Sequence, residues 1–258
     1  MSGIRTLSFF NKSENYRGLL AKHLKSSTRY LFAMPLIIGV TGSIASGKST
    51  ACEYLSSRGA VYCDADKLVH RMYDPGKPAF DRIIEAFGQG VVGEDGYIDR
   101  RILGSKVFGN SEKMATLTSA IGDIQAEVCG VMDSWRTSLS PNAIGLMEAV
   151  NFIEAGYGRF SDFTWLFAVD NKLAIQRLKD RNNLTTEMAE QRLSSQRTWQ
   201  DREPAADLVT HNNGSQEELI ELVEMEISRI RFQWTAGTLP PSKYMPWWNA
   251  QEHSTNQP

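Results

Sequence analysis

Residues 42–49 carry the pattern with the clearest chemistry in this chain. They read Gly-Ser-Ile-Ala-Ser-Gly-Lys-Ser, a full match to the phosphate-binding loop pattern G-x-x-x-x-G-K-[ST]. The glycines let the backbone turn tightly, so that N–H groups and the N-terminus of the following helix face phosphate oxygens. Lys48 would reach the β- and γ-phosphates, and the Ser49 hydroxyl would ligate Mg²⁺. The pattern predicts nucleoside triphosphate binding; the alternative is a Gly- and Ser-rich turn that fits it by chance.

Two carboxylates in Asp64-Ala65-Asp66 are the second candidate for chemistry. They directly follow a short predicted strand at residues 60–63. In an open α/β sheet the ligand lies beyond the carboxyl ends of the strands, so an acid there would face the reacting end of a bound nucleotide. Such a carboxylate can orient a hydroxyl and accept its proton. The alternative role is a helix cap, which Asp64 could provide while Asp66 acts as the base.

Hydrophobic periodicity predicts the elements that must position these residues. The apolar run at 36–40 predicts a buried strand that leads into the loop, and the pattern at 49–58 predicts a helix that begins inside it. Further strands are predicted at 143–147, 165–169 and 208–210, with mainly helical segments at 67–139 and 172–202. Ser215 and Glu218 form a capping box that opens a final helix. This alternation predicts an α/β protein with a parallel sheet in three layers, the P-loop NTPase fold, in which 67–139 is an inserted helical substrate subdomain.

Bulk composition narrows the class of function. A net charge of −2 gives no overall basic field of the kind that favours nucleic-acid binding, so none is expected. The three cysteines stand apart, without C-x-x-C spacing, which indicates neither a zinc site nor a disulfide framework and favours a reducing compartment. The longest apolar run, 31–40, contains Pro35 and is too short to cross a bilayer. A soluble, cytoplasmic protein that acts without a membrane is expected.

The two ends differ from the central region, 34–236, which is expected to form the catalytic domain. Residues 1–33 contain six Lys or Arg and one acid. Three interpretations are open: an organellar transit peptide, a true start at Met34, or a disordered basic arm, of which the last two together are favoured. Residues 237–258 contain Pro240, Pro241 and Pro246 with Trp247 and Trp248 and are interpreted as a tail; whether the Trp pair packs back on the domain stays open.

Several ordered motifs resemble those of the dephospho-CoA kinase family over roughly residues 36–231. Besides the phosphate loop, they are Asp64-Ala65-Asp66, Asp-Pro-Gly-Lys-Pro-Ala at 74–79, Asp-Gly-Tyr-Ile-Asp-Arg-Arg-Ile-Leu at 95–103, the series Arg177, Arg181, Thr186, Arg192 and Gln196, and the segment 206–214. The phosphate loop alone is shared by many enzymes, whereas the ordered set is far more specific.

The resemblance implies a kinase that transfers the γ-phosphate of ATP, with Mg²⁺, to the ribose 3′-hydroxyl of dephospho-CoA. This reaction gives CoA and ADP and is the last step of coenzyme A biosynthesis. The implied partners are these small molecules, and the implied state is a monomer or weak homo-oligomer. Two alternatives stay open: a nucleoside or nucleoside-monophosphate kinase of the same fold, and a nucleotide-binding regulator that has lost catalysis.

The resemblance also implies roles for individual residues. Asp66 is implied as the catalytic base with Lys48 as its catalytic partner, Ser49 as the metal ligand, and Asp66, Arg100 and Glu154 as acceptor-binding residues. The ATP-binding residues implied are Gly42, Ser43, Ile44, Ala45, Ser46, Gly47, Lys48, Ser49, Thr50, Arg177, Arg181, Arg192, Asn212 and Gly214.

Some of these assignments have structural alternatives. Arg177, Arg181, Arg192 and Arg202 are expected in a mobile lid over ATP at 177–205, the alternative being a solvated helix face. Asn212 and Gly214 are expected at the adenine or, alternatively, only in the turn before the last helix. His70 is expected to be an ordinary helix residue.

The sequence departs from the family's pattern at two places. Gly122-Asp123 stands where the family usually has His-Pro in the long helix of the substrate domain. Residues 148–154, Glu-Ala-Val-Asn-Phe-Ile-Glu, stand where Asp-x-Pro-Leu-Leu-x-Glu is common. Glu148 and Glu154 retain the acids, so a carboxylate that faces the metal or the substrate is kept.

Overall fold

A computed structural model describes residues 34–254 of the chain, so the predicted basic extension at 1–33 lies outside the described residues. Within this range five strands form one sheet in the order β2-β3-β1-β4-β5, and every pairing is parallel. The strands are β1 Leu36–Gly42, β2 Val61–Asp64, β3 Ile144–Glu148, β4 Phe163–Ala168 and β5 Leu208–His211. The predicted parallel α/β fold is confirmed.

The strand order places the phosphate loop at the point where the sheet changes direction. The chain goes from β1 to β2 on one side and later from β3 to β4 across β1 to the other side. Crevices for ligands open at the carboxyl ends of strands where such a reversal occurs. The loop that follows β1 therefore occupies the expected ligand position of this topology.

Helices connect the strands and cover both faces of the sheet. They are α1 Lys48–Ser57, α2 Ala65–Met72, α3 Pro78–Phe87, α4 Arg100–Val107, α5 Ser111–Ile121, α6 Ile124–Ser138, α7 Asn171–Asn182, α8 Thr186–Ser194, α9 Trp199–Arg202, α10 Gln216–Ala236 and α11 Tyr244–Ser254. Short 3₁₀ turns lie at Gln89–Val91, Tyr157–Phe160 and Glu203–Ala205.

Two hydrophobic clusters sandwich the sheet and make its three layers. On one face, α1 and α10 contribute Cys52, Leu55 and Val223 to a cluster with Trp165 of β4. On the other face α6 packs its buried Val128, Met132 and Trp135 against the sheet. All seven residues of β1 are buried, including the apolar run at 36–40 that predicted a buried strand.

A separate core holds together the helices between β2 and β3. Its buried residues include Ile83 of α3, Val91 of the following 3₁₀ turn, Leu103 of α4 and Ile121 of α5. The junction between α5 and α6 is formed by Gly122-Asp123: Gly122 has φ +105°, and Asp123 Oδ1 accepts from Ala126 N at 2.9 Å. The first departure from the family pattern thus ends one helix and caps the next.

Two predicted elements differ in the structure. The helical segment 172–202 is divided into α7, α8 and α9, because Asn183 adopts a left-handed conformation at φ +51° and Thr185 and Thr198 cap new helices. The segment interpreted as a tail contains α11, whose Tyr244 is fully buried. Among residues 34–254, no helix is long and apolar enough to span a membrane.

Candidate active site

The phosphate loop combines tight backbone turns with a close fit to a neighbouring loop. Gly47 has φ +88°, and a Cβ atom built there would lie 2.2 Å from Asn212 Nδ2. Ala45 is also left-handed, at φ +64°, a conformation that costs a non-glycine residue free energy. Lys48 begins α1 and is only 8% exposed. These features hold the loop in one shape around the position that phosphates take.

Behind the loop, Glu148 at the end of β3 is the central carboxylate. It is 4% exposed, Ser49 Oγ donates to its Oε1 at 2.6 Å, and Lys48 Nζ lies 3.8 Å from the same oxygen. The Tyr62 hydroxyl donates to Oε2. Burial, followed by the hydrogen bond to this carboxylate, raises the pKa of Tyr62, so the phenol stays protonated.

A cavity of about 360 Å³ lies in front of the phosphate loop. The residues that line it include Lys48, Ser49, Asp64, Asp66, Glu148, Arg181 and Gln196. Within the described part of the chain no group of three or more His, Cys, Asp or Glu residues forms a metal cage. The cavity instead offers the Ser49 hydroxyl close to the carboxylates of Asp64, Asp66 and Glu148. This set fits Mg²⁺ that is bound together with a nucleotide, because Mg²⁺ usually takes most of its ligands from water and phosphate oxygens.

A second cavity, of about 320 Å³, adjoins the first and shares Ala45, Gly47, Thr50 and Arg181 with it. Arg177 lines this cavity and donates to Asn212 O at 3.0 Å and to Gly214 O at 2.9 Å, with a longer bond to Ala45 O at 3.4 Å. Desolvation lowers the pKa of Arg177. Its guanidinium therefore connects the phosphate loop to the loop after β5.

The four predicted lid arginines occupy different environments. Arg181 is exposed and lines both of these nucleotide-side cavities, whereas Arg192 on α8 is exposed and lines neither. Arg202 is 1% exposed, and its Nε donates to Glu154 Oε1 at 2.8 Å. The structure therefore brings Arg177 and Arg181 to the nucleotide side and places Arg202 with Glu154; a direct role of Glu154 in acceptor binding stays a prediction.

A third cavity, of about 610 Å³, opens between β2, α2 and the turn before α4 and shares Asp64 with the first. Its lining is rich in cations and rings: Lys67, His70, Arg71, Tyr73, Tyr97 and Arg100. Arg100 Nη1 lies 2.9 Å from His70 Nδ1. Desolvation and then the Arg100 charge lower the pKa of His70, so the neutral imidazole accepts this bond.

Asp66 lies in the first turn of α2, is exposed to solvent and lines the cavity in front of the phosphate loop. Partial desolvation, and next the Asp64 carboxylate, raise its pKa above the ordinary value, while Lys48 acts in the opposite direction. Asp64 caps α2 by accepting from Lys67 N at 3.1 Å. Asp64 therefore provides the helix cap, and the role of Asp66 as the base stays a prediction.

Comparison with known proteins assigns the family. The sequence profile of the dephospho-CoA kinases matches residues 36–218. The chain belongs to the dephospho-CoA kinase family. It is 38% identical over 191 residues to the dephospho-CoA kinase of Streptococcus pyogenes serotype M3, covering 73% of this chain and 95% of the relative. The dephospho-CoA kinase of Lactococcus lactis is 32% identical over 219 residues, covering 77% of this chain and all of the relative.

A solved structure of the dephospho-CoA kinase family has the same architecture. The dephospho-CoA kinase from Campylobacter jejuni superposes with a TM-score of 0.53 at 26% identity and covers 75% of this chain and 96% of its own. The helix α11 lies beyond residue 218, where the family profile ends. This helix is therefore an addition to the part of the chain that defines the family.

Three residues of this dephospho-CoA kinase family member line the cavities without a role assigned from the sequence, although Gln196 belongs to the motif series noted above. His70 is four residues after Asp66 on α2, so helical spacing could have identified it. Tyr62 is two residues before Asp64 on β2, and strand alternation puts both on one face. Gln196 Oε1 accepts from Ile44 N at 2.9 Å, a contact between distant segments that no local pattern indicates.

Proposed function

We propose that this protein transfers the γ-phosphoryl group of ATP to the ribose 3′-hydroxyl of dephospho-CoA, which gives CoA and ADP. The observation that carries the proposal is the order of the three cavities. One lies beside Asn212, the next faces the phosphate loop, and the third is lined by cations and rings. Asp64 lines both the cavity that faces the phosphate loop, the phosphate-side cavity, and the cavity lined by cations and rings, the acceptor-side cavity; Asp66 lines the phosphate-side cavity. This order fits adenine, phosphates and acceptor in sequence.

The residues at the junction suit an in-line transfer to a hydroxyl. Asp66 is a carboxylate that can orient the attacking hydroxyl and accept its proton. Lys48 and Arg181 both line the phosphate-side cavity and can place positive charge where the transferred group accumulates negative charge. Ser49 would ligate Mg²⁺ while its hydroxyl donates to Glu148, and the ion when bound offsets charge on the β- and γ-phosphates.

The third cavity supports an acceptor larger than a nucleoside. Its volume of about 610 Å³ exceeds that of either nucleotide-side cavity. Lys67, Arg71 and Arg100 can pair with a diphosphate, and Tyr97, which is 51% exposed, offers a ring to an apolar or aromatic group. Dephospho-CoA carries a diphosphate, an adenine and a long chain with two amides and a thiol, whereas adenosine carries no phosphate.

Acceptor comparison tests this proposal. Purified protein with ATP and Mg²⁺ is given dephospho-CoA, adenosine or AMP at equal concentration, and ADP release is measured. A strong preference for dephospho-CoA is expected. A preference for AMP or adenosine would replace the acceptor while keeping the kinase, and no turnover with any of them would favour the regulator. The cytoplasmic location and the monomeric or weakly oligomeric state stay predictions.

A further inference from the structure

Tyr62 makes contacts in two cavities of this site. Its side chain lines the acceptor-side cavity, and its hydroxyl donates to Glu148, which lines the phosphate-side cavity. The register of the sheet explains this contact: Tyr62 pairs with Leu146 and Asp64 with Glu148, so Tyr62 and Glu148 are offset by two residues on one face. The tyrosine ring packs against the core cluster beneath α1, which fixes its direction.

The orientation of the Glu148 carboxylate determines where the lone pairs of the Ser49 hydroxyl point. Ser49 Oγ donates its proton to Oε1 at 2.6 Å, so its lone pairs face away from Glu148, and the residue lines the phosphate-side cavity. That geometry depends on the plane of the carboxylate. The terminal torsion of a glutamate is broad, so the plane must be held by partners. Tyr62 is the partner at Oε2, and Ser49 and Lys48 lie at Oε1.

The length of the side chain makes this partner more important. A glutamate such as Glu148 has one more rotatable bond to order than an aspartate would have. Because Glu148 is 4% exposed, water cannot readily replace a lost donor at Oε2. Removing the tyrosine hydroxyl would therefore leave a buried carboxylate oxygen without a donor and free the carboxylate to turn.

We propose that Tyr62 is a positioning residue, whose hydroxyl holds Glu148 so that Ser49 presents its oxygen to the divalent cation of the bound nucleotide. The proposal rests on the proposed kinase function but does not depend on which acceptor is used. Tyr62 acts through Glu148 and Ser49 and need not touch the phosphates.

The test compares Tyr62→Phe with a matched control, Tyr54→Phe. Tyr54 packs against the same core cluster and donates to the Glu224 carboxylate, but it lines none of the three cavities formed by residues 34–254. Both variants therefore lose one tyrosine–carboxylate hydrogen bond and keep the ring. Mn²⁺ binding in the presence of ADP is measured by electron paramagnetic resonance, and ADP binding without metal by calorimetry.

Tyr62→Phe is expected to weaken Mn²⁺ binding about tenfold, the usual scale for losing a group that orients a metal ligand. Its affinity for ADP without metal and its KM for the acceptor should stay within about twofold of wild type, and kcat at limiting Mg²⁺ should fall. Tyr54→Phe should match wild type in all four. Unchanged Mn²⁺ binding in Tyr62→Phe, or a rise only in the acceptor KM, would overturn the proposal.

A double variant tests the route of the effect. In a Ser49→Ala background the Tyr62→Phe change should have less than about a twofold further effect on Mn²⁺ binding, because the oxygen that Tyr62 positions is already absent. Full multiplication of the two effects would mean that Tyr62 acts independently of Ser49, which contradicts the proposal. Mn²⁺ binding with ADP is measured without an acceptor. A negative result for the role of Tyr62 is therefore distinguishable from a negative result for dephospho-CoA as the acceptor.

Discussion

The side-chain amide of Asn212 donates a 2.9 Å hydrogen bond to the main-chain carbonyl of Ser46, 166 residues earlier in the chain. Arg177 strengthens the connection by donating to Asn212 O and Gly214 O. The loop after β5 and the phosphate loop are therefore fixed to each other before any nucleotide arrives. Such preorganisation lowers the cost of binding, because the donors need not be ordered again.

Gly47→Ala should abolish this fit. A Cβ atom at Gly47 would lie 2.2 Å from Asn212 Nδ2, and its φ of +88° is strained for alanine. We expect ADP affinity, measured by calorimetry, to fall at least about 100-fold, since the loop and the Asn212 amide must both move. Gly59→Ala is the control, because Gly59 has φ +98° but no atom within 4 Å of the position that a Cβ would take. Equal losses in the two variants would show that strain alone, and not the contact with Asn212, matters.

Arg177 and Arg181 should separate binding from chemistry. The Arg177 guanidinium is occupied by three main-chain carbonyls, so Arg177→Lys should raise the KM for ATP about tenfold with a smaller effect on kcat. Arg181 is exposed and lines the phosphate-side cavity, so Arg181→Ala should lower kcat more than it raises KM. Steady-state kinetics in ATP measures both. The reverse pattern would exchange the two assignments.

Asp66→Asn should lower kcat about 10²-fold or more while ATP affinity stays nearly unchanged. The carboxylate is placed to accept a proton from the acceptor, and asparagine has the same size but cannot accept it. Asp64→Asn is the control, since asparagine can still cap α2 at Lys67 N. Rapid-quench measurement of the first turnover separates chemistry from product release. Turnover by Asp66→Asn close to wild type would remove the base assignment.

The raised pKa of Asp66 predicts two pH dependences. Activity should fall as pH falls through this pKa, at a higher pH than an ordinary carboxylate would give. Because the folded state binds this proton more tightly than the unfolded state, ionising Asp66 opposes folding, and the cost appears as pH rises through the raised pKa. Asp66→Asn should therefore keep or raise the midpoint of thermal unfolding at pH 7, with the difference from wild type vanishing below pH ~3.9.

Asp99, whose pKa is lowered rather than raised, provides the comparison for the thermal unfolding measurement. Hydrogen bonds from Ile102 N and Arg101 N lower the pKa of Asp99, so its contribution to stability is present above the ordinary carboxyl pKa and is lost as pH falls through the lowered one. Asp99→Ala should thus lower the unfolding midpoint at pH 7, because it removes the acceptor of both N–H groups. A fall in the midpoint with Asp66→Asn at pH 7 would contradict the assigned direction for Asp66.

The phosphate loop and the parallel sheet could be predicted because their signals are local. The loop is eight consecutive residues, and the buried strands β1 and β4 are short, mainly apolar segments. Glu148 could not be placed in the same way, because its contact with Ser49 joins residues 99 apart in sequence. That contact depends on β3 lying beside β1, and the order of strands in a parallel sheet is not written in any one segment.

The helices from α7 to α9 and the helix α11 show a second limit. The segment 172–202 was predicted to be helical throughout, but Asn183, which adopts a left-handed conformation, ends α7. Propensity alone does not detect such a stop. For α11 the prolines at 240, 241 and 246 indicated a tail, whereas the burial of Tyr244 and its contacts determine the helix. Tertiary packing here overrides local composition.

The contacts of Tyr244 predict that α11 contributes to the stability of the fold and not to catalysis. Tyr244 is fully buried, its hydroxyl donates to Ile153 O at 2.8 Å, and its ring covers Gly158, where a Cβ atom would lie 2.4 Å from it. Tyr244→Ala should lower the free energy of unfolding by about 3–5 kcal/mol, as for other large buried rings. Tyr244→Phe should lower it by about 1–3 kcal/mol, since Ile153 O loses its donor.

Urea titration at pH 7 measures these changes, with Phe232→Ala as the control. Phe232 on α10 is 71% exposed, so its truncation should change the free energy of unfolding by no more than about 0.5 kcal/mol. Because α11 lies beyond the part of the chain that the family profile matches, stability should fall in the Tyr244 variants while the KM values of both substrates stay unchanged. Equal, small effects of Tyr244→Ala and Phe232→Ala would mean that α11 contributes no packing in solution.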